Sequence, residues 1–150
     1  MSARYISTET RRLVTARAGG LCEYCLVHEH HNHKPYEVDH ILSLKHGGRS
    51  DLRNFAFACF DCNRFKGTDI GSIVPGSAAF TRLYNPWIDA WSEHFRLDLG
   101  IFIIGITEIG TATARVLGLN VRGRVWQRQN LSTLGLYPVP AALRRMGLSE

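Results

Sequence analysis

The sequence Cys22-Glu-Tyr-Cys25 is followed, after 33 intervening residues, by the similar sequence Cys59-Phe-Asp-Cys62. Two C-x2-C pairs have the spacing at which four thiolates form a tetrahedral zinc site. The gap is longer than in small zinc ribbons, so we expect the metal to join the two ends of an inserted element. We therefore predict that Cys22, Cys25, Cys59 and Cys62 bind a structural zinc ion.

A C-x2-C pair can also exchange disulfides, so a thiol redox protein is an alternative. We expect neither pair to lie in the strand-helix setting of thioredoxin-like proteins. The N-terminal residues 1–9 contain no apolar signal segment, which predicts a cytoplasmic protein. Because disulfides are disfavoured in a reducing cytoplasm, zinc remains the preferred interpretation.

The composition is that of an ordinary globular domain. The chain has 150 residues, of which 45% are hydrophobic and 21% charged, and this predicts one compact domain. Its longest apolar run, Ile101–Ile106, is too short to cross a bilayer, so we expect no membrane partner. The net charge is +5, and the last forty residues are rich in arginine. This basic region is compatible either with contact to a polyanion such as nucleic acid or with a solvated helical face.

Caps, chain breakers and apolar periodicity predict an α+β chain. We expect a helix over 8–18 with Thr8 as its cap, and a helix over 108–117 capped by Thr107. The other predicted elements are strands over 36–42, 52–58 and 101–106, an aromatic turn and short strand over 84–95, a helix from Asn63 to about Lys66, a helix over 121–131, and a linker over 67–79.

Asp39 and His40 are adjacent on the first predicted strand. Neighbouring side chains on a strand point to opposite faces, so one can face a metal ion while the other faces a nearby water molecule. Asn54 lies 14 residues after His40, and Asn63 directly follows Cys62. Folding strand, strand and helix together predicts that these positions meet at one cleft.

At these positions the chain resembles the HNH endonucleases. The resemblance is carried by Val38-Asp-His-Ile41, Gly47-Gly48, Asp51-Leu-Arg-Asn54 and Ala58-Cys-Phe-Asp-Cys-Asn-Arg64, and it is densest over residues 9–67. It implies a zinc-stapled ββα-metal core with an N-terminal helix and a C-terminal strand-helix extension. We expect the core at residues 1–70 and the extension, packed on it, at residues 71–150.

The resemblance also implies roles for individual residues. His40 would be the general base, and Asp39 and Asn63 would be the protein ligands of a catalytic Mg²⁺ or Mn²⁺ ion. Asn54 would orient the ring of His40 or its strand. Asn63 stands where many members of the family have histidine. An amide oxygen is a hard ligand that suits Mg²⁺, so this departure leaves the catalytic interpretation intact.

The predicted function is hydrolysis of DNA phosphodiester bonds by a metal-dependent endonuclease, acting as a monomer or a homodimer on duplex or branched DNA. Arg53, Arg64 and Lys66 flank the cleft and are predicted to contact phosphates. The alternative from another class is a zinc module that binds nucleic acid without cleaving it.

Overall fold

The computed structural model describes residues 5–148. Residues 1–4, on which part of the expected cytoplasmic location rests, and residues 149–150 lie outside this range. No helix in the described range is both long and apolar enough to span a membrane.

Short helices and short antiparallel strand pairs alternate along the described chain. The α-helices are α1 (Thr8–Ala18), α2 (Phe60–Lys66), α3 (Trp91–His94), α4 (Glu108–Val116), α5 (Arg122–Thr133) and α6 (Pro140–Arg145). The strands are β1 (Glu37–His40), β2 (Phe55–Ala58), β3 (Gly71–Ile73), β4 (Phe80–Arg82), β5 (Phe95–Asp98) and β6 (Phe102–Gly105).

The central unit consists of β1, β2 and α2. The two strands are antiparallel, with Asp39 opposite Ala56 and His40 opposite Phe55. All four residues of β2 are buried, and α2 follows after a single residue, Cys59, whose sulfur caps the helix by accepting a hydrogen bond from the Cys62 N–H (3.3 Å). The second cysteine pair therefore does lie between a strand and a helix, contrary to the expectation from the sequence. This mixed architecture, with a ββα unit beside four clustered cysteines, confirms the predicted α+β class.

Helix α1 spans the predicted residues, but its cap is one residue earlier than predicted. The Ser7 hydroxyl, and not Thr8, accepts the hydrogen bond from the Thr10 N–H (3.1 Å). The helix ends where Gly19 adopts a left-handed conformation with φ of 64°, a conformation that glycine tolerates at no steric cost.

The segment over 67–79 is not simply the predicted linker, because it contains β3. This strand pairs with β4, which the sequence analysis missed, and the hairpin packs against α4. Three-residue strands in a stretch rich in glycine and serine carry too little alternation of apolar and polar residues to be recognised.

Other elements also differ from the prediction. Trp91–His94 is helical, and the predicted strand over 101–106 is shorter, with one fully buried residue, Ile103. Helix α6 was also not predicted, whereas Thr107 caps α4 as predicted.

The C-terminal half packs directly on the first cysteine pair. Trp91 donates its indole N–H to the carbonyl oxygen of Tyr24 (2.9 Å), and the Tyr137 hydroxyl donates to the carbonyl oxygen of Cys25 (3.0 Å). Trp91, Tyr24, Cys25 and Tyr137 are all buried. One continuous apolar core therefore runs from the cysteines into the residues after 90.

Candidate active site and metal centre

The four cysteines form one buried cage. Their sulfur atoms all lie within 4.8 Å of one another, and the sulfurs of Cys25 and Cys59 are 3.8 Å apart. A tetrahedron of sulfurs with Zn–S bonds of about 2.3 Å has edges of about 3.8 Å. The cage is thus of the right size and donor chemistry for zinc, and none of the four cysteines forms a disulfide.

Ionised sulfurs in this cage need a cation. Burial raises the pKa of the Cys22 thiol well above its ordinary value, so four closely packed thiolates cannot coexist without a compensating charge. A Zn²⁺ ion would supply two positive charges. Two negative charges then remain at the cage.

Arg124, in the first turn of α5, provides further positive charge. Its guanidinium donates to the sulfur of Cys62 (2.9 Å), contacts the sulfur of Cys59 (3.6 Å), and donates to the carbonyl oxygen of Leu117 (2.7 Å). Arg124 is buried. Burial alone would lower the pKa of Arg124, but the neighbouring thiolates raise it above its ordinary value.

The basic C-terminal region is therefore not one solvated or DNA-facing surface. Arg124 and Arg128 are both buried. Arg128 donates to the carbonyl oxygens of Ile101 and Leu119, each at 2.6 Å. Two of the arginines that suggested contact with a polyanion instead donate hydrogen bonds inside the protein, to backbone carbonyls and to a cysteine sulfur.

Asp39 and His40 lie side by side on β1 but have different surroundings. The Asp39 carboxylate is buried and is 3.1 Å from the Lys66 ammonium, and it accepts a hydrogen bond from the Tyr24 hydroxyl (3.2 Å). Burial raises the pKa of Asp39, and Lys66 opposes that rise. The positive charge of Lys66 thus favours the ionised carboxylate.

The imidazole of His40 is held on two sides. Its Nε2 is 3.0 Å from the Ser50 hydroxyl, and its ring packs edge-on against Phe55 with 5.0 Å between ring centroids. Partial burial, and then the charge of Lys66, lower the pKa of His40 below its ordinary value. A neutral imidazole can accept a proton at neutral pH.

Three of the predicted residues line one cavity of about 490 Å³. Asp39, His40 and Asn63 all line it. Asn63 reaches the cavity from α2, while the other two come from β1. The carboxylate of Asp39 and the amide of Asn63 supply hard oxygen donors, which fit Mg²⁺ or Mn²⁺ with water and phosphate as the remaining ligands.

Asn54 lies outside that cavity and acts on the loop after β1. Its amide oxygen accepts a hydrogen bond from the Leu42 N–H (2.8 Å), and its amide nitrogen donates to the carbonyl oxygens of Leu42 (2.8 Å) and Arg49 (2.9 Å). The structure therefore does not bring Asn54 into one cleft with Asn63, as the sequence analysis expected. Its contacts place it against the strand end that carries His40.

The three predicted phosphate contacts differ in accessibility. Arg53 and Arg64 are exposed, and Arg53 lines a second cavity of about 660 Å³ together with Arg49 and Ser50. Lys66, in contrast, is only 1% exposed and is engaged by Asp39 and by the carbonyl oxygen of His40 (2.9 Å). Lys66 does not face solvent in this structure, which corrects its assignment as a surface phosphate contact.

Three side chains at the site were missed by the sequence analysis: Ser50, Tyr24 and Arg124. Tyr24 lies between the first two cysteines, so its position was a usable signal. Ser50 follows the Gly47-Gly48 turn and has no distinctive spacing. Arg124 lies 62 and 65 residues after the two cysteines whose sulfurs it contacts, and only the tertiary fold reveals those contacts.

Comparison with known proteins finds a match to the segment of the chain that contains these residues. Residues 22–69 match the model of the HNH endonuclease family. The match contains all four cysteines, Asp39, His40, Asn54 and Asn63, and it confirms the resemblance over this segment. No curated protein and no solved structure matches the chain. The family match indicates a nuclease, and the buried cysteine cage could hold zinc.

Proposed function

We propose that the protein is a divalent-metal-dependent endonuclease that hydrolyses DNA phosphodiester bonds with His40 as the general base. The observation that carries this proposal is the single cavity lined by Asp39, His40 and Asn63. A base and two oxygen ligands on one cavity are the groups that phosphodiester hydrolysis requires.

The surroundings of His40 suit a base that acts through Nδ1. If Nε2 carries a hydrogen and donates it to the Ser50 hydroxyl, the lone pair of Nδ1 is available to a water molecule. The contact with Phe55 restricts rotation of the ring. His40 would take a proton from the attacking water, and Ser50 would fix the tautomer in which it does so.

Asp39 and Asn63 would hold the ion. When bound, a Mg²⁺ or Mn²⁺ ion stabilises negative charge on the phosphate and on the departing 3′ oxygen. Asp39 needs to be ionised for this role, and Lys66 favours that state. Arg53 and Arg64 are exposed near the site and would contact the phosphates on either side of the scissile bond.

Nicking of supercoiled plasmid by the zinc-loaded protein, with Mg²⁺ or Mn²⁺, tests the proposal. We expect His40→Ala to lower the cleavage rate by about 100-fold or more, the range for loss of a general base. His46→Ala is the matched control, because His46 lies in the segment that follows β1 but does not line the cavity. It should leave the rate within about threefold of that of the unmodified protein.

Two outcomes contradict the assignment. Equal nicking by the His40→Ala variant would show that another group, or a contaminant, is responsible. Binding of DNA without cleavage under any divalent ion would instead favour the non-catalytic zinc module. Parallel reactions with RNA, single-stranded DNA and branched DNA define the substrate.

A further inference from the structure

Lys66, in the last turn of α2, is buried, which is unusual for a lysine near the end of a helix. It is 1% exposed, and its ammonium group contacts both carboxylate oxygens of Asp39 (3.1 and 3.4 Å) and the carbonyl oxygen of His40 (2.9 Å). Two of these contacts, to Asp39 Oδ1 and to the His40 carbonyl oxygen, are hydrogen bonds that the ammonium donates, and the contact with Oδ2 is an ion pair. The ammonium therefore already occupies a cation position beside the proposed metal ligand.

A divalent ion would have to bind Asp39 in the presence of this charge. Mg²⁺ binds carboxylate oxygens at about 2.0–2.1 Å, so an ion on the Asp39 oxygen nearest to Lys66 would lie within about 5 Å of the ammonium nitrogen. At that separation, in a partly buried site, two cations repel each other appreciably. Ion binding and the Lys66–Asp39 pair therefore oppose each other.

The other charged groups on the cavity do not relieve the repulsion. Among the described residues that line it, the carboxylates are those of Asp39 and Glu37, and Glu37 is paired with Arg11 (3.6 Å). Lys45 also lines the cavity and is positive. A phosphodiester is the negatively charged group that the proposed reaction would itself bring.

We propose that Lys66 is a built-in counter-ion of Asp39 that keeps divalent-ion binding weak until a substrate phosphate enters the cavity. This inference rests on the proposed function, since it assumes that Asp39 binds the ion and that the substrate is a phosphodiester. It makes ion and substrate binding mutually dependent: each tightens the other by the same factor. A nuclease built in this way is poorly loaded with its ion in the absence of nucleic acid.

Titration with Mn²⁺, followed by electron paramagnetic resonance of the free ion, tests the inference on zinc-loaded protein. At pH 8, chosen to favour the ionised Asp39 carboxylate in both proteins, we expect Lys66→Met to bind Mn²⁺ about tenfold more tightly than the unmodified protein, because the repelling charge is gone. Lys45→Met is the matched control, since it removes the same charge from the same cavity but not from the Asp39 pair. It should change the affinity by less than about threefold.

A second Lys66 variant and a titration with DNA complete the experiment. Lys66→Gln retains a hydrogen-bond donor for the His40 carbonyl and replaces Lys66→Met if that variant does not fold. A short DNA duplex added to the His40→Ala protein, which retains Lys66, should tighten its Mn²⁺ binding about tenfold or more. Unchanged or weaker Mn²⁺ binding in the foldable Lys66 variant, or no effect of DNA, overturns the inference.

Asp39→Asn separates failure of this inference from failure of the proposed function. If Mn²⁺ binding is lost in Asp39→Asn but is insensitive to Lys66, the metal site stands and the inference is wrong. If Asp39→Asn binds Mn²⁺ as well as the unmodified protein, the ion is not at Asp39, and both proposals fail.

Discussion

Asn54 holds the loop between β1 and β2 through both ends of its amide. It makes three hydrogen bonds to backbone groups of Leu42 and Arg49. Those backbone groups belong to the chain that leaves β1 directly after His40. The side chain can thus influence the position of the imidazole without lying in the cavity itself.

We expect Asn54→Ala to lower the free energy of unfolding by about 1–3 kcal/mol, because it removes three hydrogen bonds of modest net strength. Chemical denaturation of zinc-loaded protein measures the loss. Asn54→Asp is the informative comparison, since it keeps the acceptor for the Leu42 N–H and removes both donations. An alanine variant as stable as the unmodified protein would show that the loop does not depend on this amide.

That Asp39, His40 and Asn63 would meet at one cleft could be predicted, whereas the partners of these side chains could not. The positions of Asp39, His40 and Asn63 followed from motif and spacing, and the structure places all three on one cavity. Lys66 was misassigned because a lysine near a helix end is usually solvated. Its burial arises from the approach of α2 to β1, a tertiary contact that local sequence does not encode.

At the scale of elements, the pair Gly47-Gly48 shapes the turn that follows β1. Gly47 has a φ of 87°, but the space around it is open. Gly48 has no such backbone requirement, yet a Cβ added there would overlap the carbonyl oxygen of Leu42 and approach the Asn54 amide nitrogen at 2.9 Å. The two glycines are therefore needed for different reasons.

Gly48→Ala should destabilise the protein more than Gly47→Ala does. The first substitution forces backbone apart and disturbs the Asn54 contacts, with an expected cost of about 2 kcal/mol or more. The second incurs only the strain of a left-handed alanine, about 1 kcal/mol. Thermal unfolding of the two variants measures the difference, and the reverse order would contradict the close approach at Gly48.

Helix α5 is joined to the cysteine cage by Arg124. Removing a group that hydrogen-bonds metal ligands typically costs 10–100-fold in metal affinity, so we expect Arg124→Met to weaken zinc binding by about that factor. Competition with a chromophoric chelator measures it. Arg122→Met is the matched control, because Arg122 is exposed in the same turn of the helix. Equal zinc affinity in both variants would remove Arg124 from the metal centre.

At the scale of the whole molecule, the cage connects parts of the chain that are far apart in sequence. Trp91 and Tyr137 pack beside it and donate hydrogen bonds to the backbone carbonyl oxygens of Tyr24 and Cys25. The sequence indicated the cage from cysteine spacing alone. The contact of the C-terminal half with that cage was not predictable, since it is made through backbone carbonyls that carry no sequence signature.

Removal of zinc should therefore unfold more than the residues around the cysteines. We expect a strong chelator to expose Trp91, with a red shift of tryptophan fluorescence and loss of the cooperative thermal transition. Adding back zinc in excess should reverse both changes. Retention of the native emission spectrum after zinc has been removed would show that the apolar core holds the fold without the ion.

The contact between Arg124 and the sulfurs also bears on how the protein is made. A ribosome synthesises the four cysteines well before it reaches residue 124, so a nascent chain that captures zinc early carries two uncompensated negative charges. Completion of α5 neutralises part of that excess. Maturation of the metal centre is thereby tied to translation of the C-terminal third, and a prematurely terminated chain would retain its metal less tightly.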